Sequence, residues 1–420
     1  MIGRPLPLGA GGSIADQVAV RRHNLSVVLT HLREAGPRSR ARVADGTGLN
    51  KATVSSLVTE LIDRGLVAEG QLDRGGVGRP GQSIELDGRR VCAVGAEIGV
   101  GFVAALAVNL RGDVVAQRRV VVDPAVASAA AVLERLAALV GEVLAEALPD
   151  GTAPVGLSVA VPGLVESATG TLAVAPNLGW RDVAVVGELA RLLGNPEFPV
   201  VLDNEANLAA VAEVAARRSG TVDLLFVSGG TGVGGGVVSA GRLLRGGHGF
   251  AGEVGHMRVN PQGRQCTCGR RGCWETEVGL QALLSAAADP DDWVRDPAQD
   301  VDRRMDEIVR RLESRDDRCR LAVAEVGRWL GIGAGILVDV LDPDLIIFGG
   351  YYGRLGPWLR EVVEAELRAA VFAPDIGGCR PEFSGLGFAG PLLGGAQSML
   401  ESVFRDPTRV PLTTAAAKSR

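Results

Sequence analysis

The first sustained periodicity begins at Arg21, where Leu25, Val28, Leu29 and Leu32 recur at three- and four-residue spacing. That spacing is one face of an α-helix, and Gly36-Pro37 stops it. A short helix is predicted over residues 39–45, with Val43 and Ala44 turned inward and a turn at Gly46-Thr47-Gly48. Asn50 is placed to cap a third helix over 51–64, whose apolar face is Val54, Leu57, Val58 and Leu61. Helix, short helix, glycine turn and helix form the helix-turn-helix pattern, whose last helix enters the DNA major groove by its N-terminal turns. Lys51, Thr53, Ser55 and Ser56 are exposed there and can reach phosphates and base edges. A three-helix protein-interaction module is the plainer alternative. Residues 66–69 and 83–86 read as two short strands around a basic, glycine-rich loop, which is a wing.

After Arg90 the pattern changes. Apolar runs at 91–99 and 102–110 read as strands, with a hairpin turn at Gly112-Asp113, and 125–147 is a long Ala/Leu/Val helix. A buried strand over 155–161 ends at Pro162-Gly163, and one over 200–202 ends in Asp203-Asn204-Glu205-Ala206-Asn207. The strand 224–227 runs into a glycine loop, 229–236, which also suits a simple hairpin. Within the charged stretch 289–318, Met305, Ile308, Val309 and Leu312 mark a surface helix. A glycine-containing helix over 321–341, a buried strand over 345–350, a helix over 357–371 and a last helix around Gly394-Gly395-Ala396 complete the series. Strands alternating with helices, twice over, predict a two-lobed α/β body over 89–405 behind a winged head over 21–88. Residues 1–20 and 406–420 lack any pattern and are expected to be disordered.

With 420 residues, two or three domains are expected. The charge sharpens the division. Residues 1–90 carry 13 Arg or Lys against 9 Asp or Glu, whereas the rest carries 31 against 40. A mildly basic head on an acidic body suits an anionic partner for the head. The first residues lack the apolar core of a signal peptide, and no apolar run of membrane-spanning length escapes interruption by glycine or charge. A cytoplasmic location, with no membrane partner, is expected.

The densest chemistry lies in GGHGFAGEVGHMRVNPQGRQCTCGRRGCWE, residues 246–275. It holds three of the six cysteines, Cys266, Cys268 and Cys273, and one of the four histidines, His256, lies ten residues before the first of them. A Cys-x-Cys-Gly-x-x-Gly-Cys turn can present three thiolates, because Gly269 and Gly272 let the backbone fold tightly, and His256 can supply a fourth ligand. Such a closed set suits a structural Zn²⁺. A disulfide-bonded or reactive cysteine cluster is the alternative, and it lacks the oxidising context disulfides need. The metal would pin Glu253 and Glu275 near each other, an arrangement suited to gripping the vicinal hydroxyls of a sugar.

Ala251-Gly252-Glu253-Val254-Gly255-His256, followed by Cys266-Thr267-Cys268-Gly269-Arg270-Arg271-Gly272-Cys273-Trp274-Glu275, resembles the signature of the ROK family of sugar kinases and sugar-responsive repressors. The resemblance extends over about 21–404 and implies an actin-like ATPase fold for the body. It implies sugar contacts at Gly163, Asn204, Glu205, Glu253, His256 and Glu275. Asn177 and Trp180 would lie near that cleft. Arg79-Pro80-Gly81 resembles the hook of family repressors, whose arginine can enter a narrow minor groove.

Two departures from the kinase pattern point to the repressor branch. The Asp-x-Gly-Gly-Thr phosphate loop is replaced by Glu97-Ile98-Gly99-Val100-Gly101, and the general-base Asp by Glu205. The second loop, 229–236, remains kinase-like. The resulting expectation is a homodimeric or homotetrameric regulator that binds operator DNA and a monosaccharide or sugar derivative, with no catalytic residue. An ATP-dependent sugar kinase with an accessory head and a zinc-dependent scaffold without sugar are the alternatives.

Overall fold

The computed structural model describes residues 17–73, 81–122, 127–148, 154–217, 223–375 and 378–412. These fall into two compact units: one of residues 1–91 with 400–420, the other of residues 92–399.

In the first unit, α1 (Gln17–Ala35), α2 (Arg40–Thr47) and α3 (Lys51–Asp63) bury the expected apolar faces. Gly48 at φ 72° ends α2 in the left-handed conformation that a residue without Cβ adopts cheaply, and Asn50 Oδ1 accepts from Thr53 N at 2.8 Å to start α3. The wing strands β2 (Val67–Asp73) and β3 (Gly81–Leu86) pair antiparallel, with a bulge between Glu69 and Leu72. A third strand, β1 (Arg38–Ser39), pairs with β3, so Ser39 is strand and N-cap rather than the first helical residue. Arg79 lies outside the described residues.

Both ends of the chain differ from expectation. Helix α1 begins at Gln17, inside the segment expected to be disordered, and Arg21 near its start is tied to Glu60 of α3 at 2.6 Å. The last helix, α12 (Gly390–Arg405), carries the chain back into this unit. There Arg33 pairs with Glu401 at 2.7 Å and stacks 4.0 Å from the Phe404 ring. Arg64 donates to the carbonyls of Thr408 and Val410 at 3.2 and 2.6 Å, and Pro407 is buried. The tail from Asp406 through residue 412 is thus ordered by a charged donor holding backbone carbonyls. Such contacts join residues some 345 positions apart, which no local pattern reveals.

The second unit repeats one plan. In its first lobe, β4 (Cys92–Gly99), β5 (Phe102–Asn109) and β6 (Val114–Val121) form a meander. Strands β7 (Leu157–Val161) and β11 (Val200–Asn204) then add parallel beside β4. In the second lobe, β12 (Leu224–Gly229), β13 (Val233–Ser239) and β14 (Arg242–Leu243) form the meander. There β15 (Leu345–Gly350) and β16 (Arg380–Phe383) are the parallel additions. A small sheet of β8 (Leu164–Glu166), β9 (Thr171–Ala175) and β10 (Trp180–Val183) stands between β7 and β11 in the chain.

The core of the first lobe is closed by α4 (Ala129–Ala147) and α5 (Val185–Leu192), with α6 (Glu205–Ala216) following β11. That of the second is built on Trp274 of α7 (Trp274–Val278), with α8 (Leu280–Ala287), α9 (Val301–Glu313), α10 (Asp317–Leu341) and α11 (Tyr351–Ala370). Helix α10 is long and apolar enough to cross a membrane, but Ala322, Val326, Leu330, Ala334 and Val338 are buried in this core. Helix α11 starts six residues before the expected Pro357, because Tyr351 and Tyr352 are core side chains that both donate to Val278 O.

The C-terminal arm carries a prediction. Deleting residues 406–420 removes two charge-assisted hydrogen bonds from Arg64 and a buried proline, and should cost the head roughly 1–3 kcal/mol. Urea unfolding followed by limited proteolysis of the head checks this; an unchanged midpoint would make the arm a passenger.

Candidate functional site

The site starts at the C-terminal edge of the first sheet. Register places Glu97 of β4 beside Ala160 of β7, and Ala160 beside Asp203 of β11. Neighbouring strands lie about 4.8 Å apart, so the two acids flank β7 within roughly 10 Å. The chain turns just past β7 at Gly163, whose φ is 110° and where a Cβ would meet Val174 O at 2.3 Å. Only glycine fits there. Asn204 donates its amide to Gly163 O at 3.1 Å, while its Oδ1 caps α6 at Ala206 N and Asn207 N. It therefore holds two loops together and keeps one amide hydrogen for a ligand.

Glu205 is the first residue of α6, and Glu97 is nearly enclosed. Each has a buried Oε2 without a hydrogen-bond partner. Burial pushes Glu97 up to about 8, with Glu205 adding to the rise and Arg119 opposing it. Burial likewise pushes Glu205 up to about 8, with Glu253 adding to it.

The second lobe supplies the other wall. Turn residues Gly230–Gly232 join β12 to β13, so the glycine loop is a hairpin turn, closed by Gly230 N to Gly232 O at 2.9 Å. A Cβ on Gly232 would lie 3.1 Å from Asn177 Nδ2 and 3.4 Å from Glu275 Oε2. Asn177 and Glu275 therefore face this turn. The segment carrying Glu253 is tied to β13, since Gly235 N donates to Gly252 O at 2.9 Å and a Cβ on Gly252 would strike Gly235 O. Burial pushes Glu253 up; His256 opposes this and Glu275 adds to it.

His256 stands between the two acids, Nε2 4.0 Å from Glu253 and Nδ1 3.7 Å from Glu275. The ligand atoms of His256, Cys266, Cys268 and Cys273 all lie within 4.8 Å of one another. Four ligands at about 2.3 Å in a tetrahedron sit roughly 3.8 Å apart. Cys268 and Cys273 Sγ are 3.7 Å apart, as are Cys266 Sγ and His256 Nδ1. The donor set thus fits a four-coordinate metal, and the sulfurs are too far apart for a disulfide. Burial pushes Cys268 up, but hydrogen bonds from Arg270 and from the neighbouring thiols outweigh it and hold the thiol near 6. The turn closes through bridges Arg258–Cys273 and Gln265–Arg271, and Gly272 passes so near Asn260 O that a Cβ would overlap it.

Two arginines reach between the lobes. Arg245, after β14, binds the buried Asp203 at 2.6 Å and approaches Ser167 at 3.5 Å. Arg119, on β6, binds Asp302 at 2.6 Å and Asp300 at 3.5 Å, at the start of α9, and stacks on Phe102. Sequence reading passed over both, because a lone arginine in a polar stretch carries no signal of its partner. In the head, Lys51, Ser55 and Ser56 are exposed and Thr53 is half-buried, all on the first turns of α3.

Comparison with known proteins decides the kinship. The ROK family profile matches residues 93–399, and the IclR helix-turn-helix domain matches residues 25–70. The chain belongs to the ROK family. It is 30% identical over 384 residues to the xylose repressor of Caldicellulosiruptor bescii, covering 86% of this chain and 92% of that one. A crystal structure of a ROK family transcriptional regulator, a homologue of the E. coli MLC protein, superposes with a TM-score of 0.71 at 21% identity. It covers 93% of this chain and 99% of its own, which establishes the shared fold. A ROK glucokinase from Streptomyces griseus, solved with glucose and AMPPNP, matches with a TM-score of 0.62 at 27% identity, over 73% of this chain and 98% of its own. The relative without the head is the kinase, and the two that extend over the head are regulators by name.

The crowded acids generate a pH prediction. In the unfolded chain, Glu97 and Glu205 would ionise near 4.5, whereas the folded state keeps them protonated to about 8. The folded state binds more protons between these values, so stability falls as pH rises from about 4.5 to 8 and levels off above that. Glu97→Gln should raise the melting temperature at pH 8.5 and change it little at pH 5. Equal shifts at the two pH values would show that Glu97 does not titrate in this way.

Proposed function

We propose that this ROK protein is a sugar-responsive transcriptional repressor, with operator DNA bound by the head and a monosaccharide or sugar derivative bound between the lobes of the body. The observation that carries this reading is the pairing, in one chain, of an IclR-type helix-turn-helix with a complete ROK body. The relative from C. bescii that spans both parts is named a xylose repressor. Lys51, Thr53, Ser55 and Ser56 would meet the major groove and Arg79 the minor groove. Glu253, His256 and Glu275, with Gly163, Asn204 and Glu205, would hold the sugar hydroxyls. A DNA reader works where the DNA is, so a cytoplasmic location belongs to this reading, and a homodimer or homotetramer would match the paired half-sites that helix-turn-helix dimers read.

The metal held by His256, Cys266, Cys268 and Cys273 would be zinc in a structural role. With all four positions taken by protein, it leaves no site for a reacting water. His256 can serve both assignments, with Nδ1 toward the metal and Nε2 toward the cleft.

Phosphoryl transfer is not expected. It needs a metal-bound nucleotide, an in-line hydroxyl and a positioned base. Glu205 stands at the base position, one methylene longer than the family's Asp, which alters its reach for in-line transfer, and burial pushes its carboxyl up to about 8. The first loop has Val100-Gly101 where the kinases carry a hydroxyl for phosphate.

Two experiments test this reading. In the first, operator binding is followed as sugars are added, with ADP release measured alongside. The expected outcome is sugar-dependent release of DNA and no turnover, with Lys51→Ala weakening all DNA and Arg79→Ala weakening operator by roughly 1–3 kcal/mol. Saturable turnover at ordinary kinase rates of about 1–100 s⁻¹ would make the chain an active kinase. In the second, metal analysis should find one zinc per chain, lost in Cys268→Ser together with the sugar response but before DNA binding. A zinc-free protein with normal sugar response would refute the metal assignment.

A further inference from the structure

Arg21, in the second turn of α1, reaches across to α3. Its Nε donates to Glu60 Oε2 at 2.7 Å, and its Nη2 lies 2.6 Å from the same oxygen. Nη2 also donates to Ser56 Oγ at 3.3 Å. Ser56 and Glu60 are four residues apart on α3 and so share a face, which lets one guanidinium span both. Glu60 is buried and Ser56 is exposed. The guanidinium therefore runs from the interior of the head to the edge of the exposed surface that carries Lys51, Ser55 and Ser56.

A buried glutamate needs one cation, and Glu60 already has it in Arg64. The Nε and Nη2 of Arg64 donate to Glu60 Oε1 at 3.2 and 2.9 Å. Burial pushes the Glu60 carboxyl up, but hydrogen bonds from Arg64 and Arg21 outweigh it and hold the group below its ordinary value. The acid is thus ionised at neutral pH, and two arginines face one negative charge. The surplus sits on Arg21, whose side chain is 44% exposed against 12% for Arg64. Arg64 also spends Nη1 on the carbonyls of Thr408 and Val410. Among the described residues, Nη1 of Arg21 makes no hydrogen bond. The surrounding stretch of α1, residues 17–27, holds Arg21, Arg22 and His23 and neither Asp nor Glu.

We propose that Arg21, held in place by Glu60, is a DNA-phosphate contact beside the recognition helix. The inference rests on the DNA-binding reading of the head and adds a contact that lies outside α3 and the wing. The geometry favours phosphate over base. A helix with its side chains is about 10–12 Å across, and the major groove is about 12 Å wide. A recognition helix fills that groove, so a group on its flank meets the phosphate wall rather than the base edges at the floor. Nη1 brings two unspent N–H donors to that wall. Pinning of Nε and Nη2 removes in advance much of the rotamer freedom that a loose arginine would lose on binding.

The test uses the full-length, metal-loaded protein and two duplexes, an operator selected from a random pool and an unrelated sequence of equal length. Fluorescence anisotropy follows affinity over a series of salt concentrations. Arg21→Ala should weaken both duplexes alike, by roughly five- to tenfold in about 0.1 M salt, and lower the slope of log affinity against log salt by about 1. Arg21→Lys keeps the charge and should keep most of the slope. Loss on the operator alone, with the slope unchanged, would make Arg21 a base reader and overturn the phosphate assignment. Unchanged affinity and slope in Arg21→Ala would reduce Arg21 to a partner of Glu60 and overturn it as well. Melting temperatures report whether the head stays folded. If Arg21→Ala melts early, Arg21→Lys decides, and a lowered slope in a normally melting Arg21→Lys protein overturns the proposal. If the unaltered protein binds neither duplex, the DNA-binding reading itself falls and takes this contact with it.

Discussion

A backbone that passes too close to itself for any side chain is the constraint on which the cleft depends. Gly272 lies against Asn260 O, Gly252 against Gly235 O, and Gly163 against Val174 O, each at a distance that forbids a Cβ. The first contact closes the cysteine turn, the second ties Glu253 to the sheet of the second lobe, and the third bends the first lobe toward Asn204. Together they fix the carboxylates before any ligand arrives. Preorganisation of this kind lowers the cost of binding, because the polar groups need not be ordered by the ligand. The metal ligands act in the same sense from the other side, since one ion at the cluster would hold His256 and the turn before Glu275 at once.

That arrangement stores electrostatic strain. Two carboxyls with unmatched oxygens, a third pushed up by burial and a fourth beside the histidine are not what stability alone would select. Buried charges are normally paired, and here pairing is reserved for Asp203 and for the acids at the start of α9. Arg245 and Arg119 each carry a charge from one lobe to the acids of the other. These partly exposed ion pairs, weak individually, add to the apolar packing of Ala206, Ala209 and Ala210 of α6 on Leu224, Phe226, Val238 and Ile347 of the second sheet.

Much of this was legible in the sequence, and the reasons differ by element. The four apolar positions of α1 and the capping Asn50 follow from periodicity and local chemistry, and each lies where expected. The cysteine spacing foretold a tight cluster because ligands within ten residues can only meet locally. Helix ends were harder. α11 begins at Tyr351 because two tyrosines need the Val278 carbonyl, 73 and 74 residues away. The C-terminal arm was read as disordered for a similar reason: Pro407 and Val410 are unremarkable until Arg64 is placed beside them. In the sequence alone, Glu97 reads only as a departure from the kinase loop. Its burial, and its place across β7 from Asp203, emerge only with the register of three strands.

Glu97 and Glu205 stand where the family resemblance implies kinase aspartates, and the two positions then share a single physical reading. A kinase cleft needs ionised, hydrated acids that can hold a metal-bound phosphate and remove a proton. Here both acids are a methylene longer and both reach into enclosed space, where ionisation is penalised. Neither change is a mere loss of function, because a protonated carboxyl donates one hydrogen bond and accepts others, much as a sugar hydroxyl does. Under the proposed function, such a group at position 205 serves recognition rather than proton transfer. Lengthened and buried side chains, on the same proposal, suit such a cleft to sensing a sugar rather than phosphorylating it.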